Sequence, residues 1–230
     1  MVNLQVNQIK KHLESVYVPY VDDSDLRELN ETERESHVLS RAYAAYAVAS
    51  LGGYEPKDVC ASITDEYGDN GIDLIHVDTT SKKIWIVQSK FSMSGEKGVE
   101  CGDIHKFVQG LRELCDGNYS NFGNKTKRIQ TIIDDALCDA QFRIFFVIAY
   151  TRKDLSKENH DIIDPYVLEF NEGGEVLYFE DFNLPKAHEI LRRGLNKPIE
   201  CMLHIKNWGQ ITAPYKSYFG IVDATEIAQL

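Results

Sequence analysis

The chain opens with two segments whose apolar residues recur at helical spacing. In residues 4–16, and again in residues 33–50, these positions form a stripe that predicts an amphipathic helix. The second stripe is followed by Gly52 and Gly53, which are typical of a helix end. The stripe positions are Leu4, Val6, Ile9, Leu13 and Val16 in the first segment, and Val38, Leu39, Ala42, Tyr43, Tyr46 and Ala47 in the second.

Further along the chain, helical and strand-like patterns alternate. Residues 102–115 place apolar side chains on one helical face, and residues 129–140 predict another helix. Residues 141–150 form a continuous apolar run of aromatic and β-branched side chains, which predicts a central strand buried on both faces. After residue 150 the pattern predicts strands at 174–181, 199–208 and 217–222, and a helix at 185–194.

Residues 69–91, DNGIDLIHVDTTSKKIWIVQSKF, consist of two apolar runs around a polar turn and predict a β-hairpin. Because side chains alternate along a strand, Gln88 and Lys90 share one face of the second run. If the turn centres between residues 80 and 81, Asp73 lies directly across from Gln88, and Lys90 lies just beyond the paired strand. A slip of one residue would place Asp73 opposite Ser89 and scatter the polar groups.

The order helix, hairpin, helix, strand between residues 33 and 150 predicts an α/β fold. A mixed β-sheet with helices on both faces explains why the hairpin is apolar on both of its faces. We expect residues 1–150 to form the core with its N-terminal helices, and residues 151–230 to form an α/β extension of the same domain.

Composition narrows the functional classes. The 230 residues carry a net charge of −11, whereas a module that binds duplexes nonspecifically is usually basic. A nuclease remains compatible with this charge, because its acids gather at a metal and its basic patch can be local. The sequence has no apolar run of membrane-spanning length and no signal peptide at its start, so we expect a cytoplasmic protein. We expect the five cysteines to be reduced.

The polar residues of the hairpin have two interpretations. Asp73 and Lys90 can form a structural ion pair, since a buried lysine needs an anionic partner. Alternatively, Asp73 and a second oxygen ligand hold a hard divalent cation, and Lys90 contacts a phosphate or the attacking water. The second interpretation predicts a phosphodiesterase site.

Three neighbouring polar residues have more ordinary roles in this prediction. The GDNG that precedes Asp73 is typical of a turn, so we expect Asp69 to serve that turn. His76 points to the opposite face from Asp73. Lys106 is expected on a solvated helix face, with contact to a phosphate as the alternative.

Four segments in this order, LSRAYAAYAVASL, DNGIDLIHVD, IVQSKF and GDIHKFVQGL, resemble the N-terminal domain of abortive-infection phage-resistance (AIPR) proteins. The chain also resembles the Mrr-like branch of the PD-(D/E)XK nuclease superfamily, in which glutamine replaces the second acid. The likeness covers about residues 33–150. It implies a restriction-endonuclease-like core of a helix, a three-stranded meander, a helix and a further strand, with the first strand of the meander at residues 59–67.

The resemblance implies a role for each residue of the site. Asp73 would be the metal-binding acid, Gln88 would stand at the position of the second acid, and Lys90 would be the catalytic lysine. The carbonyl of Ser89 would also face the metal, which would be Mg²⁺, with Mn²⁺ as a substitute. A carboxylate from the preceding helix would complete the site, and Glu35 is the candidate. The alternative for Glu35 is a solvated acid in the first helical turn, where Glu31 and Glu33 also lie.

These residues lead us to expect a metal-dependent nuclease domain that hydrolyses phosphodiester bonds in bacterial phage defence. The alternative is a module that keeps the nuclease fold without the activity and has a nucleic-acid-binding or regulatory role. The neutral Gln88 and the net charge favour this alternative. The expected partners are nucleic acid, DNA ahead of RNA, and a second copy of the chain, with no membrane. The resemblance also implies a longer protein, with a C-terminal domain after residue 230.

Overall fold

The computed structural model describes residues 4–96, 98–194, 202–213 and 216–227. The chain divides into two compact units, Met1–Leu191 and Arg192–Leu230. The segment after residue 150, expected to begin an extension, therefore lies in the first unit as far as Leu191. None of the helices among the described residues has the length and apolar character needed to cross a membrane.

The first unit is an α/β structure with one mixed β-sheet. Its helices are α1 (Leu4–Val16), α2 (Glu31–Gly52), α3 (Pro56–Cys60), α4 (Cys101–Cys115), α5 (Asn124–Arg128), α6 (Gln130–Cys138), α7 (Lys157–Phe170) and α8 (Leu184–Gly194). Its strands are β1 (Leu74–Asp78), β2 (Lys83–Lys90), β3 (Arg143–Tyr150) and β4 (Leu177–Phe182). The helices predicted at residues 4–16, 33–50, 102–115, 129–140 and 185–194 are confirmed, and so is the central strand at residues 141–150.

The strand order is β1-β2-β3-β4. Strands β1 and β2 are antiparallel, while β3 and β4 continue the sheet in parallel with β2. The pairs run from Asp78↔Lys83 to Leu74↔Val87, which centres the turn between residues 80 and 81. The predicted register is confirmed, and its continuation places Asp73 opposite Gln88.

Helices cover both faces of the sheet. On one face, Trp85 and Val87 of β2 pack in a core with α1, α2 and α8. On the other face, Ile84 and Ile86 pack in a second core with α4, α6 and α7. The predicted alternation along β2 is therefore confirmed, and the two cores explain why the hairpin is apolar on both faces.

The prediction of a first meander strand at residues 59–67 is wrong in its extent. Val59 and Cys60 belong to α3, because Pro56 is well placed to begin a helix. The remainder forms only one isolated bridge, between Ile63 and Leu74. Two successive amides, those of residues 64 and 65, donate to the same carbonyl of Asp73, so a regular ladder cannot continue.

Two further segments differ from the sequence prediction. Helix α7 was not predicted. Ser156 caps its N-terminus, because the side chain of Ser156 accepts a hydrogen bond from the backbone N–H of Asn159, and Pro165 lies inside the helix. The strand expected at residues 199–208 begins only at Lys206, and residues 199–201 lie outside the described residues. In the second unit, β5 (Lys206–Ile211) and β6 (Ser217–Ile221) form an antiparallel pair, followed by α9 (Ala224–Ile227).

Candidate functional site

A cavity of about 450 Å³ lies at the carboxyl end of β2, where the antiparallel pairing with β1 stops. Four parts of the chain form its wall: helix α2, the loop between α3 and β1, the last residues of β2 and the start of α4. Its polar lining residues are Ser36, His37, Ser40, Arg41, Asp65, Asp69, Asp73, Gln88, Ser89, Lys90, Asp103 and Lys106. The structure thus brings Asp73, Gln88, Ser89 and Lys90 together, as the sequence predicts.

Asp73 lies at the point where the hairpin ladder ends. Its backbone N–H donates to the carbonyl of Val87 (2.8 Å), and its Oδ2 accepts a hydrogen bond from the backbone N–H of Ser89 (2.6 Å). Burial raises the pKa of the Asp73 carboxyl well above its usual range, and the negative charge of Asp65 adds to that rise. The hydrogen bond from Ser89 opposes the rise. A group that binds the ionised carboxylate must therefore compensate for its desolvation.

Asp73 is one of three clustered acids. One carboxylate oxygen from each of Asp65, Asp69 and Asp73 lies within 4.8 Å of the other two. The side chain of Asp65 accepts a hydrogen bond from Nε of Arg41 (2.7 Å), and Asp69 pairs with Nζ of Lys106 (2.8 Å). We refer to these three residues as the acidic cluster.

The loop that carries the acidic cluster has a tight conformation. Asp69 also accepts a hydrogen bond from the backbone N–H of Gly71 (2.8 Å), so the predicted turn role is confirmed and is only part of its role. Gly71 has φ of 79°, and a Cβ there would lie 3.0 Å from the backbone nitrogen of Phe107 on α4. Sequence reasoning missed Asp65; the regular spacing of acids at positions 65, 69 and 73 was the available signal.

Gln88 is the second oxygen ligand that the sequence predicts. Its side-chain Nε2 donates to the backbone carbonyl of Asp103 (3.3 Å), which fixes the orientation of the amide because a carbonyl can only accept. Only 8% of the residue is exposed, and its Oε1 has no hydrogen-bond partner among the described residues. A buried carbonyl oxygen without a partner is costly, so this atom is suited to a ligand that supplies a positive charge or a donor.

Lys90 reaches the cavity from its rim. The side chain is 48% exposed, and Nζ lies 3.2 Å from Oδ2 of Asp103 on α4. The interpretation of Lys90 as a buried lysine paired with Asp73 is therefore wrong. Lys90 is the last residue of β2, beyond the end of its pairing with β1, so its terminal ammonium is in contact with solvent.

Ser89 lies between these two residues and connects the strand end to its neighbours. Its backbone N–H binds Asp73, and its Oγ donates to the carbonyl of Ser40 on α2 (2.8 Å). These two bonds hold the end of β2 between the acidic cluster and helix α2.

The structure does not bring Glu35 to the cavity. Its Oε1 lies 2.5 Å from Nζ of Lys10 on α1, and its side chain is 51% exposed. Residues 36, 37, 40 and 41 form the face of α2 that lines the cavity, and residue 35 precedes this face on the helix. His76 is likewise away from the site, as predicted; it contacts Tyr54 and Ser62.

The acidic cluster and the amide of Gln88 offer oxygen atoms as potential ligands, whereas His37 also lines the cavity but is not part of the cluster. Hard divalent cations such as Mg²⁺ and Mn²⁺ prefer such oxygen ligands. The four cysteines in the described part of the chain are free thiols and none lines the cavity. No protein-family model, curated protein or solved structure matches this chain.

Proposed function

We propose that this chain is a metal-dependent nuclease domain that hydrolyses phosphodiester bonds of nucleic acid. The observation that carries the proposal is the buried Oε1 of Gln88, which finds no hydrogen-bond partner in the described part of the chain and lies in the same cavity as the acidic cluster and Lys90. A structural ion pair would have no use for this atom, whereas a bound cation would give it a partner.

The residues present fit a hard divalent cation. Asp73 and Gln88 would hold it, and Asp65 and Asp69 supply the further negative charge that the neutral Gln88 does not. These two acids take the part that the resemblance assigns to a carboxylate from the preceding helix. When bound, the cation polarises a phosphoryl oxygen and makes hydroxide available near neutral pH.

The lysines of the site would contact the substrate. The ammonium groups of Lys90 and Lys106 lie at the cavity rim, and each is about half exposed. Either group can turn from its carboxylate partner to a phosphate oxygen, because exposed ion pairs contribute little free energy. Lys90 would stabilise the charge that develops on the phosphate during attack.

The fold supports the same proposal. The order α2, isolated bridge, β1, β2, α4, β3 follows the order of a restriction-endonuclease-like core, with the first meander strand reduced to a bridge. The resemblance to AIPR proteins adds DNA as the substrate and phage defence as the role. The proposal also includes the cytoplasm as the location, as expected from the sequence.

Four proteins test the proposal: wild type, Asp73→Ala, Gln88→Glu and Lys90→Ala. Thermal unfolding is measured over a Mn²⁺ titration, and cleavage of plasmid and oligonucleotide substrates is measured in parallel. We expect Mn²⁺ to stabilise the wild type, with a gain of about 2.7 kcal/mol at 100 times its Kd. Asp73→Ala should lose both metal binding and cleavage.

The other two variants separate metal binding from catalysis. Gln88→Glu keeps an oxygen and adds a charge, so it should bind Mn²⁺ at least as well and retain cleavage. Lys90→Ala should lose cleavage far more than metal affinity. Lys153→Ala is the matched control, because Lys153 also pairs with an aspartate at the surface and is 83% exposed. A wild type that responds to metal in neither assay would refute the proposal.

The second candidate is an inactive nuclease-fold module that binds nucleic acid. It is favoured by one observation: the neutral amide of Gln88, whose Nε2 is bound to the carbonyl of Asp103, stands where an active relative would carry an acid. Stabilisation by Mn²⁺ together with nucleic-acid binding, but without cleavage by any of the four proteins, would select this candidate.

A further inference from the structure

A second cavity, of about 520 Å³, lies along the outer edge of β1. Strand β1 is the first strand of the sheet, and among the residues that the structure describes only the isolated bridge at Ile63 pairs with its outer side. The reduced first strand therefore leaves an opening between the sheet edge and helices α5 and α6. This volume lies within the range of small-molecule sites, about 300–1,000 Å³.

The two cavities share a wall. Thr64 lines the second cavity, and the next residue, Asp65, lines the first. Lys125 of the second cavity donates to the backbone carbonyl of Asp65 (3.0 Å). Arg41 of the first cavity donates to the backbone carbonyl of Asp22, which lines the second (2.7 Å). A ligand in the second cavity is thus separated from the acidic cluster, which lines the first cavity, by a single layer of protein.

The lining of the second cavity combines apolar and cationic groups. Its apolar wall is made by Ile63, Ile75, Val77, Ile129 and Ile132. Lys125 and Arg128 of α5 supply two positive charges, and Asp22 supplies one negative charge. The ammonium of Lys125 also lies 3.8 Å from a carboxylate oxygen of Asp25. Arg128 is exposed and forms no ion pair within the described part of the chain, so its guanidinium is available to an anionic ligand.

An apolar wall beside cations suits a nucleotide, whose flat base is largely apolar on its faces and whose phosphate is an anion. We propose that this cavity receives the base of a nucleotide next to the phosphodiester that is cleaved, with Arg128 facing the backbone phosphate. This inference rests on the proposed nuclease function, since the acidic cluster across the shared wall fixes where the cleaved bond lies.

The proposal also names a substrate class. A paired base is stacked inside a duplex and reaches a protein cavity only after it is unpaired and unstacked, which costs free energy. This cost is least for a base that is already single-stranded. The cavity therefore favours single-stranded or unpaired nucleic acid over a continuous duplex.

Methyl NMR tests the cavity without metal and without catalysis. The full chain is labelled at isoleucine δ1 methyl groups and titrated with a deoxynucleoside monophosphate, with inorganic phosphate or with indole. We expect the monophosphate to shift the methyl signals of Ile63, Ile129 and Ile132. The signals of Ile104 and Ile163, which lie in a buried core, should stay unchanged. Equal shifts from phosphate alone, or from indole alone, would overturn the proposal, as would no shift at all.

A charge placed in the cavity provides the matched variant. Ile132 is 50% exposed on α6, so Ile132→Glu should fold while it repels a nucleotide. Leu168→Glu on α7 introduces the same charge at a residue that is 71% exposed and lies outside both cavities. We expect the monophosphate titration to be lost in the first variant and kept in the second. Equal binding by both variants would contradict the proposal.

Cleavage of single-stranded oligonucleotides provides the link to the active site. A single abasic position is moved through the sequence around one cleaved bond. We expect one position next to that bond to raise KM on the order of tenfold, while other positions have little effect. Cleavage that is insensitive to every abasic position would overturn this proposal and leave the nuclease function intact. Nucleotide binding at the isoleucines without any cleavage would refute the nuclease function and would leave the cavity as a nucleotide-binding site only.

Discussion

The side chain of Arg41 connects the acidic cluster to the segment before α2. Only 1% of this side chain is exposed. Its Nε donates to Oδ2 of Asp65, and Nη2 donates to the carbonyl of the same residue (2.7 and 2.9 Å). Its Nη1 and Nη2 also donate to the two carboxylate oxygens of Asp25 (2.8 and 2.6 Å). One guanidinium thus satisfies two acids from two separate loops.

We expect Arg41→Met to destabilise the fold strongly. Methionine fills much of the same volume but leaves Asp65, whose side chain is only 17% exposed, without its cation. Removing one partner of a buried ion pair costs about 3–5 kcal/mol. For a chain of this size, each kcal/mol corresponds to roughly 2–4 °C, so Tm should fall by about 6–20 °C. Differential scanning calorimetry at neutral pH measures this change.

Two further variants show whether the lost charge is the cause. Arg41→Met/Asp65→Asn removes the uncompensated carboxylate and should recover part of the loss, with a coupling energy of about 0.5–3 kcal/mol. Arg41→Lys keeps the charge but not the planar fork, and it should fall between wild type and Arg41→Met. A fall in Tm of less than about 3 °C for Arg41→Met would refute this account of the residue.

Three other measurements test separate parts of the structure. The pKa of the Asp73 carboxyl is raised, so its contribution to stability is fully present below the unfolded pKa of about 4 and is lost as pH rises through the folded pKa. Without metal, the Tm of Asp73→Asn should therefore increase relative to that of the wild type as pH rises from 4 to 8. A Tm difference that stays constant over this pH range would contradict the shift. Gly110→Ala should lose about 1–3 kcal/mol in chemical denaturation despite the better helix propensity of alanine, because the new Cβ would lie 2.4 Å from the carbonyl oxygen of Asn70; an unchanged midpoint would show that the loop yields. Trp85 is 2% exposed and Trp208 is 63% exposed. Acrylamide should therefore quench Trp85→Phe readily, because only Trp208 remains, and Trp208→Phe weakly, because only Trp85 remains. The reverse order would contradict the burial of the two indoles.

The hairpin and its helices were predictable because their signals are local. Alternation along residues 83–90 defines the two faces, and a symmetric turn fixes the register that puts Asp73 across from Gln88. The helices of the first core show stripes that a period of 3.6 residues reveals. These features depend on neighbours in sequence, so one chain is enough to find them.

The remainder of the site depends on contacts between distant segments. The exposure of Lys90 follows from its position beyond the last pair of β2 with β1, and its partner Asp103 comes from the next helix. Asp65 joins the acidic cluster because most of the expected first strand forms only one isolated bridge, so its loop can bend towards Asp73. Glu35 is the candidate for the carboxylate that the resemblance expects from the preceding helix, but its side chain pairs with Lys10 of α1. Tertiary packing decided each of these cases, and the spacing of the acids at positions 65, 69 and 73 is the one sequence signal that points to any of them.

The pairing of charges around the first cavity has a thermodynamic consequence. Lys106 is held by Asp69, and Lys90 is held by Asp103. A cation that binds Asp69 competes with Lys106 and releases its ammonium, which then attracts an anion. An anion that binds Lys90 releases the carboxylate of Asp103, which then attracts a cation. The two kinds of ligand are therefore linked, and by reciprocity each raises the affinity of the site for the other by the same factor.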